Sequence, residues 1–175
     1  SKLIADFRNL SLATQENINV DRSCCMVQQI FRYVVEDFET IIKERGLKFS
    51  IDCPSTVGAC EGDFNLLSIV MTNLVSNAIR FTPNGGSVHL KGSRVDGFVV
   101  IEVSDSGIGM TKHEVSDGFG PLRTAAEVSG RQVTSFEYNS RGLGLGLPAV
   151  RTILHAHGTI LEVKTSKGSG TSFSF

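Results

Sequence analysis

The 175-residue sequence lacks the features that mark several common classes of protein. It has no apolar run approaching the ~20 residues needed to span a bilayer, and its N-terminus lacks a signal-peptide pattern. Its formal net charge of -1 gives no field that would attract nucleic acid or an anionic membrane. We therefore expect a cytoplasmic domain without nucleic-acid or direct membrane contact, and leave open whether the parent protein is anchored in the inner membrane.

The four cysteines do not form a recognisable metal or redox motif. Cys24, Cys25, Cys53 and Cys60 contain no CxxC pair and no repeated metal spacing with the histidines. Because Cys24 and Cys25 are adjacent, a structural disulfide between them is disfavoured. The pattern favours reduced thiols in a cytosolic protein.

The composition predicts a globular domain, with 41% hydrophobic and 20% charged residues. Residues 1–20 have the pattern of the end of a helix and a polar connector, and the domain proper is expected at 21–175. Apolar periodicity predicts helices at 26–46, 62–81 and 142–157, and strands at 48–51, 88–95, 98–104, 159–164 and 171–175. About three helices and five strands indicate an α+β fold, a two-layer α/β sandwich.

The predicted helix at 62–81 carries three polar residues on one face. Asn73, Asn77 and Arg80 lie at i, i+4 and i+7, although each interior asparagine costs about 0.5 kcal/mol relative to alanine. One interpretation is that these positions are merely solvated. The other is that the amide oxygens face a metal ion and Arg80 faces phosphate. Mg²⁺ keeps several waters, so one or two amides with nucleotide phosphates would suffice to hold it.

Two glycine-containing segments supply the other candidate site residues. Asp105-Ser106-Gly107-Ile108-Gly109 follows an apolar strand, where a carboxylate can accept a hydrogen bond from an exocyclic amine and glycines let backbone approach a flat base. A plain Asp-x-Gly turn is the alternative. The segment from Gly142 to Leu147 opens the last helix, where exposed amides can hold phosphate. It has neither the GxGxxG spacing of a Rossmann loop nor the Gly-Lys-Ser/Thr of a Walker A loop.

Together these segments resemble the ATPase superfamily of gyrase, the ninety-kilodalton heat-shock chaperone, mismatch-repair proteins and histidine kinases. The run from Asn73 to Pro83 is similar to the histidine-kinase N box. The segment Asp105 to Met110 resembles the G1 box, Gly142 to Leu147 the G2 box, and Gly168 to Phe173 the final strand entry of that family. The resemblance covers the chain from about residue 20 to its end.

The resemblance implies a Bergerat-type fold, a mixed sheet covered by three helices on one face, with ATP and Mg²⁺ as ligands. It assigns Asn77 to the metal with Asn73 assisting, Arg80 to phosphate, and Asp105 to the adenine amino group. Residues 111–141, which lack a sustained period, would form the ATP lid. The implied nucleotide-binding residues are Asn73, Asn77, Arg80, Phe81, Asp105, Gly107, Gly109, Met110, Gly142, Leu143, Gly144, Leu145, Gly146 and Thr171, and the first three are also the implied catalytic residues.

The residue type at the position of Asn73 distinguishes the branches of the superfamily. Hydrolysing members that resemble gyrase have a glutamate there to activate water, and an amide cannot act as a general base at neutral pH. The resemblance therefore implies transfer of the γ-phosphoryl of ATP to a histidine nitrogen, for relay to an aspartate of a response regulator. The His113-Glu114 pair lacks the Thr-Pro continuation of an acceptor motif. The acceptor is thus expected on the chain's own dimerisation domain, outside this sequence, with homodimers only in the full-length kinase.

Two alternatives remain open from the sequence. The segment Gly118 to Leu122 resembles the phenylalanine-rich box of the family's lid only loosely, which slightly favours a non-catalytic nucleotide-sensing module. The other alternative is a serine/threonine kinase of the anti-sigma type, against which the helical residues 1–20 count.

Overall fold

In a computed structural model, the structure describes residues 2–15, 17–118 and 144–175. Its helices are α1 (Lys2–Thr14), α2 (Val27–Glu36), α3 (Glu39–Glu44), α4 (Phe64–Phe81), α5 (Lys112–Gly118) and α6 (Gly146–Ala156). Its strands are β1 (Ser23–Met26), β2 (Lys48–Asp52), β3 (Ala59–Gly62), β4 (Ser87–Val95), β5 (Phe98–Asp105), β6 (Glu162–Thr165) and β7 (Thr171–Ser174), and a 3-10 turn at Ser55–Val57 precedes β3.

The main sheet has five strands in the order β2-β4-β5-β7-β6. Only β2 and β4 are parallel, so the sheet is mixed, as the family resemblance implies. The predicted hairpin between β4 and β5 is confirmed. Its two turn residues, Asp96 and Gly97, have φ values of 51° and 86°, which suit the right-handed twist of the paired strands.

One face of the sheet is covered by a helical layer in which α4 is central and packs against α2 and α6. Alternate residues of β4 and β5 point into this layer and are buried, among them Val88, Leu90 and Val103. Leu74 of α4 and Ile153 of α6 are fully buried against them. The two-layer α+β architecture predicted from the element count is therefore confirmed.

Both ends of α4 are held by polar contacts. The Asp63 side chain caps its first turn by accepting from the backbone amides of Asn65 and Leu66. At the other end, the buried Arg45 donates to the carbonyls of Ile79 and Thr82, which lie among the last carbonyls of the helix. These contacts fix the helix that carries Asn73, Asn77 and Arg80.

The structure differs in detail from several of the sequence-based expectations. The single helix expected at 26–46 is divided into α2 and α3 at Asp37 and Phe38, where the Phe38 amide donates to the Val35 carbonyl, three residues back, at 2.9 Å. The Phe38 side chain lies in the core, where it is 4% exposed. The two-stranded sheet of β1 and β3 was not predicted. Helix α5 occupies the start of the segment expected to be a loop.

The last helix begins at Gly146 rather than Gly142. Gly144 has a φ of +74°, which a right-handed helix does not accommodate, so the helix starts only after it.

Within the described ranges, no helix is both long and apolar enough to cross a membrane.

Candidate functional site

Asp105 lies at the last position of β5, where the strand leaves the sheet. Its Oδ1 accepts a hydrogen bond from the backbone amide of Gly107 at 2.8 Å. Burial raises the pKa of its carboxyl from 3.8 to about 6, although hydrogen bonds from the backbone of Gly107 and Thr171 act in the opposite direction. A carboxylate that lacks full solvation is poised to accept a hydrogen bond from a ligand that replaces water.

The glycines after Asp105 leave no room for side chains. A Cβ at Gly107 would lie 2.6 Å from Asp105 Oδ1 and inside contact distance of the Phe81 carbonyl. Gly109 has a φ of +59°, and a Cβ there would overlap the carbonyl oxygen of Ser166. Local backbone geometry thus requires glycine at both positions.

Backbone hydrogen bonds join the loop at 106–110 to α4 and to the last strands. The amide of Ile108 donates to the Phe81 carbonyl at 3.1 Å, directly at the end of α4. The amide of Met110 donates to Thr165 Oγ1 at 2.9 Å, and the Thr165 hydroxyl lies 3.0 Å from that of Thr171. The sequence-predicted residues Phe81, Asp105, Gly107, Gly109, Met110 and Thr171 therefore lie together.

Beside this loop is an open groove of about 420 Å³. Asp105 and Thr171 line it, together with Ser166 and Gly170 of the turn between β6 and β7. Thr171 faces Asp105 across the β5–β7 ladder, so the register of the sheet sets their relation. Of the predicted nucleotide-binding residues, Asp105 and Thr171 line this groove, whereas Gly107, Gly109 and the predicted residues of α4 do not.

The amide face of α4 meets the beginning of α6. Asn73, Asn77 and Arg80 are half-buried on α4, at successive turns of one face. The Oδ1 of Asn73 lies 2.9 Å from the position that a Cβ would occupy at Gly146. The N-box-like and G2-like segments are thus in contact. Gly144 and Leu145 precede α6, whereas Gly142 and Leu143 lie outside the described residues.

One residue of this region was not anticipated from the sequence. Asn9 of α1 is 6% exposed, and its side chain exchanges hydrogen bonds with that of Asn73, at 2.9 and 3.3 Å. The only signal was an asparagine one turn before Leu12, in a helix whose other face is apolar. Sequence periodicity does not show which helix such a residue meets.

The segment expected to form the lid begins with an ordered turn. Thr111 and Glu114 form a capping box at the start of α5, since each side chain accepts from the other's backbone amide. Glu114 also pairs with Lys167 at 3.1 Å. The Thr111 amide, helped by the Lys167 ammonium, lowers the pKa of Glu114 to about 2. His113 is exposed on α5, and the rest of the segment predicted to be the lid, 119–141, lies outside the described residues.

The oxygen donors in this region are side-chain amides and one carboxylate. No group of three or more His, Cys, Asp or Glu side chains able to hold a metal occurs among residues 2–15, 17–118 and 144–175. The amides of Asn73 and Asn77 lie in the C-terminal half of α4, and the loop after Asp105 is bonded to Phe81, about two turns beyond Asn73. Such an arrangement suits a ligand that brings its own phosphate oxygens to the metal.

Comparison with known proteins decides the family. Residues 62–175 match the profile of the histidine kinase-, DNA gyrase B-, and HSP90-like ATPases. The chain belongs to this ATPase family. The match includes every segment of the candidate site on α4, β5, α6 and β7, and the expected family is confirmed.

Its curated relatives include histidine kinases of bacteria. The chain is 38% identical over 111 residues to the cell-division control histidine kinase PdhS of Brucella anthropi, covering 62% of this chain and 10% of the relative. It is 34% identical over 151 residues to the non-motile and phage-resistance protein of Caulobacter vibrioides, covering 81% of this chain and 17% of the relative. The chain thus spans less than a fifth of the length of these two relatives.

Solved structures with the same fold include histidine kinases. The Acinetobacter baumannii histidine kinase AdeS matches with a TM-score of 0.74 at 21% identity, over 99% of this chain and 75% of that one. Full-length ShkA in complex with AMPPNP matches with a TM-score of 0.77 at 23% identity, over 99% and 34%. ThkA in complex with the response regulator TrrA matches with a TM-score of 0.75 at 19% identity, over 99% and 46%. These structures share the fold of this chain, in agreement with the ATPase family to which it belongs.

Proposed function

We propose that this chain binds ATP with Mg²⁺ and presents the γ-phosphoryl for transfer to a histidine of an adjacent helical domain. The observation that carries the proposal is the position of α4 between the other two segments. At its C-terminal end, the Phe81 carbonyl accepts from Ile108 in the G1-like loop. Two turns earlier, Asn73 abuts Gly146 at the start of α6. One rigid helix thus sets the distance between an adenine site and a phosphate site.

Asp105 would select the base. Its carboxylate accepts a hydrogen bond from an exocyclic amine, which adenine offers and the corresponding carbonyl of guanine does not. Gly107 and Gly109 let the loop pack directly against the carbonyls of Phe81 and Ser166, which holds the backbone beside Asp105 in place. A charge-assisted hydrogen bond contributes about 1.5–3 kcal/mol, enough to set base preference.

The amide face of α4 would hold the phosphate end. Asn77 would ligate Mg²⁺ with Asn73 assisting, Arg80 would contact phosphate, and Gly144, Leu145 and Gly146 would donate backbone amides. When bound, Mg²⁺ neutralises the charge that develops on the phosphate oxygens. Because the Asn73 amide cannot remove a proton from water, the arrangement favours transfer over hydrolysis.

The same proposal assigns residues 1–20 to the end of the dimerisation and phosphoacceptor helix and its connector, and 21–175 to the catalytic domain. Ile4, Phe7 and Leu10 of α1 support it, because they are large apolar side chains that remain exposed, at 71%, 74% and 41%. They suit packing against further helices of a homodimer.

We also propose a cytoplasmic domain that serves a response regulator, the kind of partner bound by the similar kinase ThkA.

Calorimetric titration of ADP, a non-hydrolysable ATP analogue and GTP, each with and without Mg²⁺, tests the nucleotide site. We expect adenine-selective binding that strengthens with Mg²⁺. Asp105→Asn should weaken adenine binding at least about tenfold, because an amide replaces a charged acceptor. Asp52→Asn, the same change at the exposed end of β2, is the matched control and should bind like wild type. Equal affinity for GTP, or an unaffected Asp105→Asn variant, would contradict the proposed site.

A further inference from the structure

The side chains of Asn9 and Asn73 form a reciprocal amide pair between α1 and α4. Asn9 Nδ2 donates to Asn73 Oδ1 at 2.9 Å, and Asn73 Nδ2 donates back to Asn9 Oδ1 at 3.3 Å. Asn73 Nδ2 also donates to the Ile69 carbonyl at 2.9 Å. Since a carbonyl can only accept, this last bond fixes which end of the Asn73 amide is oxygen. That oxygen is the atom to which Asn9 donates.

The pair lies where the phosphate end of the proposed site should be. Gly146, the first residue of α6, approaches Asn73 Oδ1 so closely that a Cβ would lie 2.9 Å from it. Helix α1 also packs against α6, and Leu12 packs against the core. Asn9 therefore closes the junction between α4 and α6 from the side of α1.

We propose that the junction of Asn73 and Gly146 is a docking surface for α1, and that Mg²⁺–nucleotide binding competes with this docking. The inference rests on the proposed function, in which the Asn73 amide assists the metal. Both donor hydrogens of Asn73 are already used by Ile69 and Asn9, and its oxygen is used by Asn9. The oxygen has a second lone pair, but Gly146 already approaches it closely, so a metal or its water would take the place that Asn9 now occupies.

Because Asn9 is buried, loss of its hydrogen bonds to Asn73 favours release of α1 from the domain. At 6% exposure, an Asn9 amide that lost Asn73 would remain buried without its partner, which is unfavourable. Undocking of α1 restores its hydration. Linkage makes the effect reciprocal: docked α1 weakens metal–nucleotide binding by the same factor by which the nucleotide weakens docking. Loading of the site would thereby uncover the phosphate end, which the acceptor histidine must reach.

Calorimetry on Asn9→Ala tests the competition. The variant removes both hydrogen bonds of the pair and leaves Asn73 in place. We expect the non-hydrolysable ATP analogue to bind about three- to tenfold more tightly with Mg²⁺, the range expected when one or two neutral hydrogen bonds no longer hold the docked state. The gain should be smaller without Mg²⁺. Asn17→Ala makes the same chemical change at an exposed position and should bind like wild type.

Amide hydrogen exchange of residues 2–14 in the wild-type chain gives a second readout that requires no variant. Mg²⁺ with the ATP analogue should speed exchange in α1, whereas the analogue alone should do so less. Unchanged or slower exchange, or an Asn9→Ala variant with unchanged or weaker affinity, would overturn the competition while the proposed function stands. A wild-type chain that binds no adenine nucleotide would overturn both.

Discussion

The two ends of the candidate site are built in different ways. At the adenine end, most of the contacts involve backbone groups. The Ile108 amide donates to the Phe81 carbonyl, and the Ile108 carbonyl accepts from the Gly168 amide. The Gly107 amide donates to the Asp105 carboxylate. At the phosphate end, the described contacts of Asn73 are made by its side-chain amide. Backbone contacts are fixed by the register of the sheet, whereas a side-chain amide can exchange partners. The adenine end should therefore be preformed, and the phosphate end switchable.

Alanine substitutions at Gly109 and at Gly144 should give the largest difference between the two ends, measured as the loss in the free energy of unfolding. Both glycines have positive φ, +59° and +74°, but only a Cβ at Gly109 would overlap backbone, whereas one at Gly144 meets nothing within 4 Å. We expect Gly109→Ala to lower the free energy of unfolding by at least ~2 kcal/mol, and Gly144→Ala by about 1 kcal/mol from backbone strain alone. Urea denaturation measures both. Equal losses in the free energy of unfolding would show that the adenine end is not more closely packed than the phosphate end.

Asn77→Ala should affect the phosphate end alone. Removing an amide oxygen that ligates the metal should weaken binding of the ATP analogue at least about tenfold with Mg²⁺, and little without it. Calorimetry under both conditions provides the comparison, with the free energy of unfolding as the control for folding. A loss of the same size with and without Mg²⁺ would assign Asn77 to packing instead.

The smallest effect that we predict is the pH dependence of stability that comes from Asp105. Because the pKa of its carboxyl rises from 3.8 to about 6 on folding, the folded state binds the proton more readily in this interval. The stability that protonated Asp105 contributes is present below about pH 4 and is lost as the pH rises to about 6.

Asp105→Asn removes this titration. The variant should gain about 1 kcal/mol in the free energy of unfolding, relative to wild type, between pH 4 and pH 7, after allowance for partial exposure of the carboxyl. Thermal or urea denaturation at the two pH values checks it. A difference between variant and wild type that does not change with pH would show that the carboxyl is well solvated. Asn73 and Asn77 do not titrate in this range, so no such dependence is expected from the phosphate end.

Elements with local signals were predictable from the sequence. Helix α4 was found because its apolar stripe is long and Pro83 follows its end, and the β4–β5 hairpin because Asp96-Gly97 is a two-residue turn signal. The break at Phe38 was missed, because the residue continues the apolar stripe and only the shape of the core turns it inward. Strands β1 and β3 are four residues each, too short for a period to be recognised.

The sequence by itself determined the family, the layered fold and the residues proposed to contact base, metal and phosphate, because those residues occur in contiguous segments with characteristic order. The tertiary structure decided how the segments meet. Closure of the sheet placed Thr171 opposite Asp105, and packing of α1 against α6 joined Asn9 to Asn73, 64 residues away in sequence. Contacts of this kind depend on the relative positions of whole elements. No local propensity or spacing encodes them.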